Sequence, residues 1–395
     1  MTVARMDHFL GAEVIARLNA PVEQAEGLPA ACYYEDAFYE LERTRLFARG
    51  WMAVAFLNDV PEPGDVMPVR VADYELLVVR GQDGAVRVFY NVCRHRGMKL
   101  ATDKCTKARA IVCPWHSWSY DLKGQLTATP HIGGLGKDTQ SAIDRSALGL
   151  KEVRSASWLN HVFADLSGVA LPLEHHLAPL RARYAAYDFG ALKPSDQRTA
   201  VSIDANWKIV IEGGVEDYHV PWVHPQLVPH PGTFKPEWAE GVYLGFSNTH
   251  PPERAYRRFG TGTGEGPAHL PYFPHLDTSK PAEGVLTLLF PNAYVSVHPT
   301  HAMTSIVVPE GPTRTTYRRN FLFMGDAATS PDYAKLRDGT IATWMRVGGE
   351  DMPINAANQA NLRTREAAGI ATRYSAFWEP CVLEFQRMIA RRMTA

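Results

Sequence analysis

Residues 90–121 read YNVCRHRGMKLATDKCTKARAIVCPWHSWSYD. Cys93 and His95 form a C-x-H pair, and Cys113 and His116 form a C-x2-H pair after the interval 96–112. Two thiolates and two imidazoles from separate turns suit either a tetrahedral zinc ion or a [2Fe–2S] cluster, the cysteines on one iron and the histidines on the other. Apolar β-type runs (Leu76–Val79 with Val86–Tyr90, then Ala110–Val112) lead into the two pairs, so each is expected in a short loop at a strand end. Gly97 and Pro114 suit tight loops that aim backbone N–H groups at cluster sulfurs. A zinc finger usually carries its second pair on a helix with wider histidine spacing, and nothing between Arg94 and Tyr120 has that pattern.

At these loops the chain resembles the Rieske family, and CRHRG…CPWHSWSYD is similar to the form in its ring-hydroxylating oxygenases. The resemblance implies that Cys93, His95, Cys113 and His116 hold a Rieske [2Fe–2S] cluster. Respiratory members clamp their loops with a disulfide where this chain has Met98 and Trp115, which implies a lower potential here. Cys32, Cys105 and Cys381 are scattered and read as free thiols in a reducing cytoplasm.

The chain has 395 residues, 46% of them hydrophobic, enough for two or three cored domains. Its formal charge of −1 gives no reason to expect nucleic acid or an acidic membrane surface. No apolar run approaches the ~20 residues that span a bilayer, and no export signal is visible. The expectation is a cytoplasmic protein.

A helical segment is expected over residues 1–45, clearest at Glu35–Phe47. Short strands follow at Trp51–Phe56, Val66–Val71, Leu76–Val79 and Val86–Tyr90, with a turn at Gly81–Gly84 and a closing strand at Trp158–Leu166. This is a small all-β domain, 46–168. A third domain, 169–395, begins with a connecting helix at Leu171–Tyr187. Strands are expected at Thr199–Ile203, Gly241–Phe246, Gly284–Phe290, Ala293–Val297, Thr304–Val308 and Tyr317–Phe323. The Pro/Gly-rich region His250–Pro281 reads as a loop over a pocket, and Tyr333–Met393 as mostly helical. The fold class is α+β, an antiparallel sheet wrapped around long helices.

In NWKIVIEGGVEDYHVPWVH (206–224), His219 and His224 would lie about 140° apart on an ideal helix. Pro221 breaks that helix and allows both imidazoles to face one point. Two histidines and a carboxylate on one face of iron form the facial triad of non-haem oxygenases. Asp351, in GGEDMPIN ahead of an apparent helix, is the chosen third ligand and Glu350 its rival.

The resemblance extends from the Cys/His loops to Asp351. Asn206-Trp207-Lys208, Glu216, Tyr218, His219 and His224 match the iron-site motif of the Rieske oxygenase α subunits. It implies a helix-grip (START/Bet v1-like) catalytic domain holding a mononuclear Fe(II), with O2 as co-substrate. It also implies electrons from a separate NAD(P)H reductase with a flavin or ferredoxin, because no G-x-G-x-x-G fingerprint lies in the chain. Glu216 is implied to bridge His116 of one subunit to His219 of the next in a homotrimer, with Asp217 as the alternative. Tyr218, beside the ligand, either hydrogen-bonds near the iron or packs, with packing favoured. Gly213 stands where many members carry Asn near the iron.

LPAACYYEDAFYELERTRLFARGW (28–51) and FPNAYVSVHPTHAM (290–303) look similar to the branch acting on betaines, choline or carnitine. Hydroxylation or oxidative demethylation of such a compound is the expected reaction. The rival is hydroxylation or O-demethylation of an aromatic acid, and the rival classes are a Rieske electron carrier and a zinc-stabilised binding protein.

Overall fold

A computed structural model describes residues 2–227, 233–256 and 267–395. The chain divides into two compact units, residues 48–170 and residues 1–47 together with 171–395. Among the described residues, no helix is long and apolar enough to cross a membrane.

The unit 48–170 holds nine strands: β1 (Trp51–Phe56), β2 (Val66–Val71), β3 (Tyr74–Arg80), β4 (Val86–Tyr90), β5 (Ile111–Val112), β6 (Ser119–Tyr120), β7 (Leu126–Ala128), β8 (Glu152–Trp158) and β9 (His161–Asp165). They form an antiparallel sheet in the order β1-β9-β8-β4-β3-β2 and a small sheet β5-β6-β7. Two-residue turns with both φ angles positive set two of the hairpins: Ala72-Asp73 joins β2 to β3, and Leu159-Asn160 joins β8 to β9. This conformation matches the right-handed twist of the flanking strands. The second turn corrects the single closing strand expected over Trp158–Leu166. The chain reverses there, and Leu159-Asn160 lacks the Asn-Gly signature that would have announced it.

The other unit is built on seven antiparallel strands: β10 (Leu192–Ile203), β11 (Thr233–Ala239), β12 (Tyr243–His250), β13 (Ala282–Leu289), β14 (Ala293–His298), β15 (His301–Pro309) and β16 (Thr315–Met324). Their order is β10-β16-β15-β14-β13-β12-β11. β11 was not expected, and it contains Pro236, a residue unfavourable within a strand. It survives because β11 is the edge, where a missing N–H breaks no ladder.

Across this sheet lies the 34-residue helix Ala334–Ala367. Met303, Phe321 and Phe323 of the sheet and Leu336, Ile341 and Trp344 of the helix share one apolar cluster. This is a sheet gripping a long helix. Asp351 lies inside that helix, not ahead of one, because Pro353 does not interrupt it. The proline ring presses on the carbonyl four residues back, and there the residue is Gly349, whose backbone yields most easily. A second helix, Pro380–Thr394, buries Leu383, Phe385, Met388 and Ile389. The connecting helix expected over Leu171–Tyr187 is two short turns, Leu173–His176 and Ala178–Arg183, with Pro179 at the start of the second. Of the loop expected over His250–Pro281, residues 257–266 lie outside the described residues.

The first 47 residues pack with the half that carries the seven-stranded sheet. The helix Asp36–Leu41 runs into a π-helical turn, Glu42–Phe47. Glu42 there meets Lys208 at 2.6 Å, with both side chains fully buried. Trp207 Nε1 donates to the same carboxylate at 3.2 Å, and the Lys208 ammonium faces the rings of Tyr33, Phe38 and Trp207. A buried charge persists only when paired, and this pair ties the segment to the helix that leads into the iron-site motif.

Candidate functional site

In the unit 48–170, the Cys/His loops form two matching turns. Cys93 N–H donates to Met98 O and Gly97 N–H to Cys93 O, while Cys113 N–H donates to Trp118 O and Ser117 N–H to Cys113 O. Gly97 and Ser117 close the turns with φ of 73° and 56°. The two thiols sit side by side, Tyr120 OH lies 3.4 Å from Cys93 Sγ, and the His95 and His116 rings are 4.7 Å apart. His95 Nδ1 is buried without a hydrogen-bond partner, as expected of an atom reserved for a metal. Tetrahedral zinc would draw all four donor atoms to within roughly 4 Å of one another. The two thiols adjoin each other and so do the two imidazoles, the pairing suited to a cluster with one iron per pair, while among the described residues three donors gather within 4.8 Å elsewhere.

Those three donors belong to His219, His224 and Asp351. Their placement starts at Asn206, whose side chain accepts the Lys208 N–H at 3.0 Å and caps the helix Trp207–Gly214. The helix stops at Gly214, and the chain bends before one further turn of helix, Val220–Val223, flanked by the two histidines. Pro221 sits in the first turn of that short helix, where a missing N–H costs nothing. The break therefore precedes His219, earlier than the kink expected at Pro221. The two rings come to 5.2 Å, nearly perpendicular.

Each imidazole is oriented by a carboxylate. His219 Nδ1 donates to Glu216, which also accepts the backbone N–H of His219 at 3.2 Å. His224 Nδ1 donates to Glu350 at 2.8 Å. With both Nδ1 protons committed, the Nε2 lone pairs turn to Asp351 Oδ1, 3.6 Å from His219 and 2.9 Å from His224. Glu350 and Asp351 are adjacent on one helix, so their side chains point about 100° apart and reach opposite nitrogens of His224. Burial disfavours charge on both imidazoles, yet the surrounding carboxylates outweigh it and raise both pKa values. Acceptors that converge in this way suit a cation. The donor set, two imidazole nitrogens and a carboxylate oxygen, fits ferrous iron.

The three donors line a cavity of about 580 Å³. Its floor is largely alternate residues of the sheet, Phe246, Asn248 and His250 on β12, Gly284 and Leu286 on β13, Tyr294, Ser296 and His298 on β14, Met303 and Ser305 on β15, Tyr317 and Arg319 on β16, joined by Ala282 and Glu283 at the start of β13. Its roof is a stripe of the long helix at helical spacing, Trp344, Val347, Gly348, Asp351, Asn355 and Asn358. Glu212 also lines it, pushed up to about 7 by burial even though Tyr33 OH and Gln386 Nε2 donate to it.

Residues 50–139 match the Rieske [2Fe–2S] domain, and residues 189–395 match the ring hydroxylating alpha subunit (catalytic domain). The chain belongs to the ring-hydroxylating alpha subunit family. Its members are Rieske non-haem iron oxygenases with a [2Fe–2S] cluster and a mononuclear iron, working on small molecules with a reductase. Among curated relatives, the glycine betaine monooxygenase oxygenase subunit of Chromohalobacter salexigens is 28% identical over 365 residues, 85% of this chain and 79% of that protein. The naphthalene 1,2-dioxygenase large oxygenase component of Pseudomonas putida is 33% identical over 195 residues, 48% of this chain and 42% of that one. The solved structure of the quaternary ammonium Rieske monooxygenase CntA with L-carnitine has a TM-score of 0.76 at 20% identity, covering 96% of this chain and 98% of that one. At that identity the likeness shows the fold.

Other family motif positions are accounted for by geometry. Tyr218 is half-exposed, lies outside the cavity lining and stacks on Trp378, so it packs. Asp217 lines the cavity and is held by Asn248 on β12. A Cβ at Gly213 would meet nothing closer than Asn355 Oδ1 at 3.8 Å, so the position is open to a larger side chain. Arg319, Trp344 and Gly348 line the cavity without having been anticipated, and strand alternation together with the helical stripe would have indicated them.

Proposed function

We propose that this chain is the terminal oxygenase for a small quaternary ammonium compound of the betaine type, hydroxylating or oxidatively demethylating it with electrons from a separate NAD(P)H reductase. The observation that carries the reading is the triad of His219, His224 and Asp351 opening into a cavity walled in part by the rings of Phe246, Tyr294 and Trp344. Aromatic faces attract a quaternary cation that cannot hydrogen-bond. The glycine betaine monooxygenase relative supports the same class.

Cys93, His95, Cys113 and His116 would hold the cluster and His219, His224 and Asp351 the iron, which when bound supplies the binding and reduction of O2. Glu216 and Glu350 keep the ligand imidazoles in the Nδ1–H tautomer. Glu216 also carries the coupling between neighbouring subunits, from His116 of one to His219 of the next, in a head-to-tail trimer in the cytoplasm.

The test is a screen of glycine betaine, carnitine, choline and simple aromatic acids with a surrogate reductase, following NADH oxidation and product together. Stoichiometric product from a quaternary ammonium compound supports the proposal. Product from aromatic acids alone overturns it in favour of the ring-oxidising reading, for which the naphthalene dioxygenase relative speaks.

A further inference from the structure

Arg319 is the cavity's least explained charge. It projects from the inner face of β16, in the row that runs through Ser305 of β15 to Tyr294 of β14. Its Nη1 donates to Trp344 O at 2.9 Å, its Nη2 reaches Tyr317 OH at 3.3 Å, and the guanidinium lies over the Tyr317 ring, 5.0 Å from the centroid. That uses two of five N–H donors. Among the described residues no carboxylate pairs with it. A half-buried guanidinium facing a cavity without a counter-ion is poised for an anion, and its planar fork matches a carboxylate.

Position narrows the anion. Both Nη atoms lie 3.5 Å from where a Cβ on Gly348 would stand. Gly348 is three residues before Asp351, so it is about 4.5 Å away along the helix. The guanidinium thus sits about one helical turn from the candidate iron ligand, a span that suits a short substrate. Arg365, another cavity-lining cation, lies on the far side of Asp351, ~21 Å from it along the helix, and the cavity-lining Arg254 is engaged with Leu227 O. At the metal end, the carboxylates of Glu216, Asp217 and Asp351 outnumber the two charges of a ferrous ion. The metal end is therefore acidic, and Arg319 sets a positive charge about one helical turn from it.

We propose that Arg319 anchors the substrate carboxylate, so that the site selects a short zwitterionic betaine over the cationic alcohol choline. This rests on the quaternary-ammonium reading above and narrows it.

The test compares wild type, R319K and R319M as iron-loaded holoenzymes, with steady-state kinetics on glycine betaine and choline and calorimetric titration of glycine betaine. R319M is expected to raise KM and Kd for glycine betaine ~10- to 100-fold, the loss of a charge-assisted pair, and to lower the betaine-over-choline ratio of kcat/KM by a similar factor. R319K, which keeps the charge but loses the fork, is expected to fall between and serves alone if R319M melts early. Equal shifts for betaine and choline, or no shift for either, would overturn the anchor while leaving the substrate class standing. A wild type that oxidises aromatic acids and no quaternary ammonium compound would instead sink the class, and the anchor with it.

Discussion

Glu350 and Asp351 are consecutive acidic residues with opposite roles, and replacing each in turn separates them. Asp351 Oδ1 is the carboxylate oxygen shared by both Nε2 atoms, so Asp351→Ala removes one of three donors. Iron should then fall from about three per chain, two in the cluster and one alone, to about two. Glu350 receives the Nδ1 proton of His224, with Gln226 donating to the same oxygen at 2.7 Å and Arg346 4.0 Å from the other. Glu350→Gln keeps an acceptor there but loses the charge that strengthens the imidazole as a donor. Substitutions of this kind weaken metal binding by roughly 10- to 100-fold. The variant should therefore load fully at high ferrous concentration and lose its single iron selectively on dilution or against a chelator. The assay is iron content by elemental analysis across a chelator titration, with the visible spectrum of the cluster as an internal control. Complete iron loss in Glu350→Gln, or three irons retained in Asp351→Ala, would refute the assignment.

Three further substitutions have outcomes fixed by the same contacts. Glu216→Gln should keep both metal centres, since an amide oxygen still accepts from His219 Nδ1, yet cut NADH-driven turnover by at least about tenfold; full turnover would show that the carboxylate charge is not needed for coupling. Lys208→Met strands the fully buried Glu42 and should cost about 3–5 kcal/mol in chemical denaturation, with much of it restored in the E42Q/K208M pair; a single-variant loss under about 1 kcal/mol would contradict the buried ion pair. Glu212 has a folded pKa of about 7 against an ordinary 4.5, so the folded state holds its proton where the unfolded state has released it. Its stabilising contribution is complete below pH 4.5 and is lost as pH rises through 7, about 3 kcal/mol in all. Glu212→Gln should flatten that decline, and parallel stability curves for the two proteins would exclude the assignment.

The strands most legible in the sequence were those that read as short apolar runs bounded by turn residues. β1, β2 and β4 begin and end where the apolar runs do, and β13–β16 differ only at their ends. What escaped were elements whose signal is conformational rather than compositional. The reversal at Leu159-Asn160 depends on two positive φ angles, and β11 depends on being an edge that tolerates Pro236. The cluster loops could be read because their ligand chemistry is compressed into two short motifs. The third iron-site residue could be read only as one of a pair, because distance along the chain says nothing about which nitrogen of His224 each acid will meet.

The cavity was the least visible part, for a physical reason. Sequence patterns find cores because inward positions are apolar, but a site that must hold a cation and a polar substrate reverses that rule at the positions facing it. Asn248, Ser296, Ser305 and Arg319 occupy inward positions on the sheet, and Asp351, Asn355 and Asn358 continue the inward stripe of the long helix. On that helix, apolar contacts at Leu336 and Ile341 give way to these polar groups. The helix therefore lacks the one-sided apolar stripe expected of a core helix, and Gly348, Gly349 and Pro353 made it look like a boundary. The polar inward positions are the ones that carry the chemistry. A change of any of them to leucine should make the sheet and helix read more like an ordinary core while removing the function that the present residues support.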